Sequence, residues 1–198
     1  MNKSLFVLLF LVALIPAAFI LSSKFSLVKP ATQDKSGAVL GEAESQEKFN
    51  YLSTNGNSSC SAAFSQSIAT MEQEARLRGS CCSQMSMHRY SEQVEGLKKY
   101  SSIPQIPIDP YDIEAGLAKK LMSYYDMQLT TEEHIAFDYA MQNSSEKGPC
   151  CCKCWRWYVY GGLGKYLVRN HGFTGEQVTE VWNLSDGCGG DSEHQHTS

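Results

Sequence analysis

An all-α body, built as a small helical bundle, is the fold class this sequence predicts, and three observations predict it. Apolar residues recur at helical spacing from Ala62 onward. Two capping boxes, Thr130-x-x-Glu133 and Thr174-x-x-Gln177, mark helix starts. No alternating strand pattern competes with them. The 198 residues allow one domain plus accessory segments. The formal net charge of -4 supplies no basic field, which excludes nucleic acid as a partner.

Ahead of the bundle, Leu5 to Leu21 is an uncharged apolar run, preceded by Lys3 and followed by Ser22-Ser23-Lys24. Its length is close to what crosses a hydrocarbon core, and a charged start before an apolar run is also a secretory signal. No small-x-small cleavage site follows, so residues 1–23 read as an uncleaved signal anchor ahead of a cleaved signal peptide. Either way the expected partner is the membrane, and the body is expected outside the cytoplasm, secreted if the signal is cut. Residues 24–61 are rich in Ser, Gly, Asn, Glu and Gln and read as a flexible tether. Asn57-Ser58-Ser59 within it matches a glycosylation sequon.

The predicted body spans 62–190, with a flexible tail over 191–198. Ala62 to Arg78 holds good helix formers and ends at Gly79. Met85 to Tyr100 forms a second helix. Ile103 to Pro110 carries three prolines and is expected to be extended. Asp112 is placed to cap a helix carrying Ile113, Leu117, Leu121 and Tyr125. The box at Thr130 opens the next one. Pro149 suits a first helical turn, so a helix is expected from the cysteine-rich segment to about Asn170, stopped by Gly172. Three glycines inside it, Gly161, Gly162 and Gly164, cost helicity and imply a close neighbour. The box at Thr174 starts a last short helix.

The chemistry is concentrated in cysteine. Of eight cysteines, four fall in Cys150-Cys151-Cys152-Lys153-Cys154. At a helix start, partial positive charge favours the thiolate, the form that binds metal. Several thiolates held together select a soft or borderline ion, Cu(I), zinc or an iron–sulfur cluster. Further ligands are expected from Cys81, Cys82 and Cys188. Met85, Met87 and His88 follow Cys81-Cys82 closely, and thioethers favour Cu(I) over zinc, so Cu(I) is the first expectation and zinc the second. Two other readings stand beside this one. The even cysteine count in an oxidising compartment also suits a disulfide-stabilised interaction domain without metal. Cys151-x-x-Cys154 also matches a thiol–disulfide oxidoreductase motif. No acid/base pair or nucleophile triad argues for other enzyme chemistry.

The segment Gly148-Pro149-Cys150-Cys151-Cys152-Lys153-Cys154-Trp155, with Asp186-Gly187-Cys188-Gly189-Gly190, resembles motifs of exported, membrane-anchored cysteine-rich proteins of uncharacterised role. Pro149-Cys150-x-Cys152-x-Cys154 also resembles the core of the PCYCGC-motif proteins, departing from it at Cys151 and Lys153. The likeness covers about six residues and implies an exported cysteine-site protein. Sequestration, delivery or sensing of a soft metal, with a metal-donor or acceptor protein as partner, is the function expected.

Overall fold

The computed structural model describes residues 35–189, with side chains from residue 41 onward. The apolar run at 5–21 and the tail over 191–198 lie outside the described residues. Among the described residues no helix is long and apolar enough to cross a membrane. The described elements from Ser36 onward belong to one compact unit.

The body is mostly helical. In chain order it runs α1 (Lys35–Thr54), α2 (Ala62–Ser67), β1 (Arg76–Arg78), α3 (Met87–Leu97), β2 (Asp112–Glu114), α4 (Ala115–Ser123), α5 (Thr131–Asn143), α6 (Trp155–His171) and α7 (Gly175–Ser185). Short 3-10 turns extend α2 and α3 over Ile68–Thr70 and Lys98–Tyr100.

Helix α6 is the axis of the core. Trp155, Val159, Leu163 and Leu167 recur along it and are fully buried; each such side chain contributes about 1.5–3 kcal/mol of hydrophobic stabilisation. Helix α4 lies against it through Ala118 and Leu121, and α7 through Val178, Val181 and Trp182. Helix α5 packs on α7, with Phe137 meeting the Trp182 ring edge-on at 5.4 Å. The glycines of α6 mark where neighbours approach. A Cβ at Gly162 would lie 1.9 Å from the Leu121 carbonyl oxygen, and one at Gly164 would lie 2.6 Å from the Trp182 ring. The close neighbour expected from the sequence is therefore the backbone of α4 on one side and Trp182 on the other.

Both expected capping boxes form, at Thr130 with Glu133 and at Thr174 with Gln177. Gly172 ends α6 with φ 63°, the left-handed conformation glycine adopts without a Cβ penalty.

Four expectations need correction. The tether does not extend to residue 61. Lys35–Thr54 is helical, because Phe49 and Leu52 pack on Tyr90 and Tyr111 and Lys48 reaches Asp109 at 2.8 Å. The helix expected over Ala62 to Arg78 stops early, and Arg76–Arg78 instead pairs antiparallel with Asp112–Glu114. Arg76 Nε donates to Asp112 Oδ1 at 2.8 Å and Arg78 N–H donates to Asn57 Oδ1 at 2.7 Å. These long-range bonds outweigh a helix preference worth only tenths of a kcal/mol per residue. The mostly helical body thus also carries a short two-stranded ribbon. Asp112 sits in that ribbon, and α4 begins at Ala115. The stretch Ile103 to Pro110 turns instead of extending, with Ile106 N–H donating to Ile103 C=O at 3.0 Å.

The Asn57 amide is committed as well. Its Nδ2 donates to the Arg76 carbonyl at 2.9 Å. The sequon side chain is thus a clamp on β1.

Candidate metal centre

Pro149 does not open α6. The chain bends through 148–153, and the helix begins at Trp155 with Cys154 as its N-cap. The turn before the cysteines is fixed by Ser144, whose hydroxyl accepts from Gly148 N–H at 2.8 Å and donates to Gly148 C=O at 2.9 Å. Cys150, Cys151 and Cys152 therefore lie on a folded loop, and their sulfurs are not brought together by helical spacing.

The other cysteines come from three more segments. Cys60 stands just before Ser61, the N-cap of α2. Cys81 and Cys82 follow β1. Cys188 follows α7, where its N–H donates to Asp186 Oδ1 at 3.0 Å. The Cys82 and Cys188 loops are tied together by Ser83, whose N–H and hydroxyl both donate to the Cys188 carbonyl, at 2.9 and 3.0 Å. Gly189 makes this possible. Its φ is +81°, and a Cβ there would lie 2.5 Å from the Ser83 carbonyl oxygen.

All eight cysteines meet in one cluster and all are free thiols. Sγ–Sγ separations are 3.0 Å for Cys60–Cys82, 3.9 Å for Cys81–Cys82 and 3.8 Å for Cys82–Cys151. They are 2.9 Å for Cys151–Cys188, 3.4 Å for Cys150–Cys188 and 3.8 Å for Cys150–Cys154. Triads with their sulfurs within 4.8 Å of one another include Cys60, Cys152 and Cys154; Cys60, Cys81 and Cys82; Cys82, Cys151 and Cys188; and Cys150, Cys151 and Cys152. A metal–sulfur bond of about 2.3 Å in a tetrahedral site separates its sulfurs by about 3.8 Å. The donor set and its spacing are thus compatible with metal binding.

Burial and hydrogen bonding together decide which thiols ionise first. Desolvation pushes Cys60, Cys82 and Cys152 up. Cys151 and Cys188 are also raised, chiefly because they hydrogen-bond to Cys150. Cys81 falls to about 4, stabilised first by hydrogen bonds from Cys154 and Cys188 and then by the charge of Arg156. Cys150 is lowered by a hydrogen bond from Cys151. One or two thiolates can form alone, but a full set of adjacent buried anions requires a cation among them.

Arg156 is the unusual neighbour. It is fully buried, donates to the Pro110 and Gly79 carbonyls at 2.6 and 3.0 Å, and stacks on Trp155 at 4.6 Å. Its Nε has no partner and, among the described residues, it makes no ion pair with a carboxylate. Burial disfavours its charge, but the cluster, Cys81 first, more than offsets this and raises its pKa. A buried guanidinium without a carboxylate fits a site whose own charge is negative. No motif in the sequence marks Arg156 for this role.

Seven of the expected ligands, Cys81, Cys82, Cys150, Cys151, Cys152, Cys154 and Cys188, come together. Cys60, assigned to the tether on sequence, joins them. The other three expected ligands do not enter the sulfur triads. His88 is exposed. Met85 and Met87 pack beside Leu52, Tyr90 and Tyr111, and Ser53 Oγ donates to the Met85 sulfur at 3.7 Å. Met85 does share a cleft with Cys82. The cleft, of about 670 Å³, is also lined by Phe49, Leu52, Ser53 and Ser80, and Cys82 is the exposed thiol of the cluster. The Cys151/Cys154 dithiol is not favoured, since Cys151 makes its shortest sulfur contact with Cys188 and Cys154 is buried.

No family model matches the chain, and neither a curated protein nor a solved structure shows significant similarity to it.

Proposed function

We propose that this protein binds a soft metal ion, Cu(I) first and zinc second, for sequestration, delivery or sensing outside the cytoplasm. One observation carries the reading: eight free thiols from four separate stretches of chain converge on a single cluster. A hydrophobic core gains nothing from so many adjacent thiols, whereas thiolates at this spacing have a common use as soft-metal ligands. The buried charge of Arg156 supports an anionic centre. The apolar run at 5–21 supports export or anchoring, and a metal-donor or acceptor protein is the natural partner.

A second reading is favoured by the two shortest sulfur contacts. Cys60–Cys82 at 3.0 Å and Cys151–Cys188 at 2.9 Å are the pairs nearest to bonding distance. A disulfide-stabilised domain would use these pairs.

The test is metal analysis of the reduced full-length chain prepared without oxygen. Stoichiometric copper or zinc is expected, lost when Cys150, Cys152 and Cys154 are all changed to serine. A chain that takes up neither metal after reduction would leave only the disulfide reading.

A further inference from the structure

Of the eight thiols only Cys82 is exposed; the others are buried or half-buried. Its sulfur lies 3.0 Å from that of Cys60, 3.9 Å from that of Cys81 and 3.8 Å from that of Cys151. An ion that reaches Cys82 therefore has three further sulfurs within one ligand-exchange step. The way in is the cleft of about 670 Å³ between the end of α1 and the loop after β1. Phe49, Leu52 and Met85 give it apolar wall, and Ser53, Thr54 and Ser80 line it with hydroxyls. None of the residues lining it carries a formal charge.

We infer that this cleft receives a low-molecular-weight thiol carrying a soft metal ion, Cu(I) first, and that Cys82 takes the ion from it. This rests on the soft-metal reading above and deepens it by naming the port and the class of carrier. Size favours a small molecule, since small-ligand clefts usually measure about 300–1,000 Å³. The lining favours one too. Complementary charge steers a protein donor onto its site, and this cleft offers no charged side chain. Hydroxyls that both donate and accept suit the amide and carboxylate groups of a peptide-like thiol.

The transfer is a ligand exchange. The bond between the carrier's sulfur and the metal breaks as a bond from Cys82 Sγ forms. The Cys82 thiol proton passes to the departing carrier thiolate. No electron moves, and the metal keeps its oxidation state. The ion then passes inward to Cys60, Cys81 or Cys151, and from these toward the buried Cys150, Cys154 and Cys188. A buried thiol such as Cys188 does not meet the carrier and so does not start the exchange.

The test compares an exposed thiol with a buried one. Reduced full-length chain is mixed anaerobically with the Cu(I)–glutathione complex, and protein-bound copper is measured in samples desalted at successive short times. Cys82→Ser should slow the transfer at least about tenfold. Cys188→Ser also removes one thiol, but a buried one, and should slow it less than about twofold. A second comparison needs no variant. The same glutathione coupled through its amino group to a large dextran should deliver copper to the wild type at least about tenfold more slowly than free glutathione does. Equal slowing in the two serine variants would overturn the port while leaving metal binding intact. Undiminished transfer from the dextran-bound thiol would overturn the small carrier and point to a protein donor instead. A wild-type chain that takes up copper neither from glutathione nor from the acetonitrile complex of Cu(I) would overturn the soft-metal reading beneath it.

Discussion

Arg156 donates to the Gly79 carbonyl at 3.0 Å, two residues ahead of Cys81, which places its buried guanidinium at the cysteine cluster. Hydrogen bonds from Cys154 and Cys188 lower the Cys81 thiol to about 4, the guanidinium adds to this, and charge on Cys81 favours the guanidinium in return. Arg156 is fully buried, so this attraction is little screened by solvent.

The first prediction follows from that pair. Arg156→Met should weaken metal binding sharply, because it removes the buried positive charge beside an anionic centre. Arg156→Lys should retain more affinity, since it keeps the charge but cannot serve both the Pro110 and Gly79 carbonyls as the guanidinium does. Competition titration against a chromophoric Cu(I) chelator measures both. Equal losses in the two variants would assign Arg156 a packing role only.

Metal uptake should release protons. Cys60, Cys82, Cys151, Cys152 and Cys188 are held above the ordinary thiol value and are protonated at neutral pH without metal. Binding converts them to thiolates, so acid competes with the metal and affinity should fall as pH falls. Calorimetry in buffers of different ionisation enthalpy counts the protons. A heat that does not depend on the buffer would contradict this.

Filling the cleft beside Cys82 should slow loading without changing capacity. Ser53 lines the cleft and lies outside the sulfur triads. Ser53→Trp is expected to lower the rate of copper transfer from a copper–glutathione complex and to leave the final copper content unchanged. Stopped-flow absorbance of the copper–thiolate band reads the rate.

Gly162→Ala should destabilise the body by about 1–3 kcal/mol, the usual cost of overpacking. The added methyl would meet the Leu121 carbonyl at 1.9 Å, and backbone gives way less readily than a side chain. Denaturant unfolding of the reduced chain measures the loss.

What the sequence disclosed was local. The boxes at Thr130 and Thr174 and the stop at Gly172 each depend on residues within one helical turn, and all three stand. The β1–β2 ribbon was invisible because its strands have three residues each and pair across more than thirty positions. Helix propensity over Ala62 to Arg78 pointed the other way.

The site shows the same divide. Cys150 to Cys154 was legible from density of cysteine alone, but its geometry was not. Pro149 suits a helix start, yet the Ser144–Gly148 hydrogen bonds hold the segment as a loop and delay the helix to Trp155. Cys60 was hidden in a Ser/Asn/Gly-rich tract. Asn57, which ties that tract to β1, was the available signal. Met85, Met87 and His88 do not enter the sulfur triads, so the thioether signal that favoured Cu(I) over zinc in the sequence is not part of the site.

The most direct test of the central claim is a thiol count and a metal content on the same anaerobic sample of the full-length chain. Eight titratable thiols are expected in the metal-free reduced protein, with loss of their reactivity in step with stoichiometric soft-metal uptake. Disulfides at Cys60–Cys82 and Cys151–Cys188 that reform after reduction, with no metal bound, would contradict it.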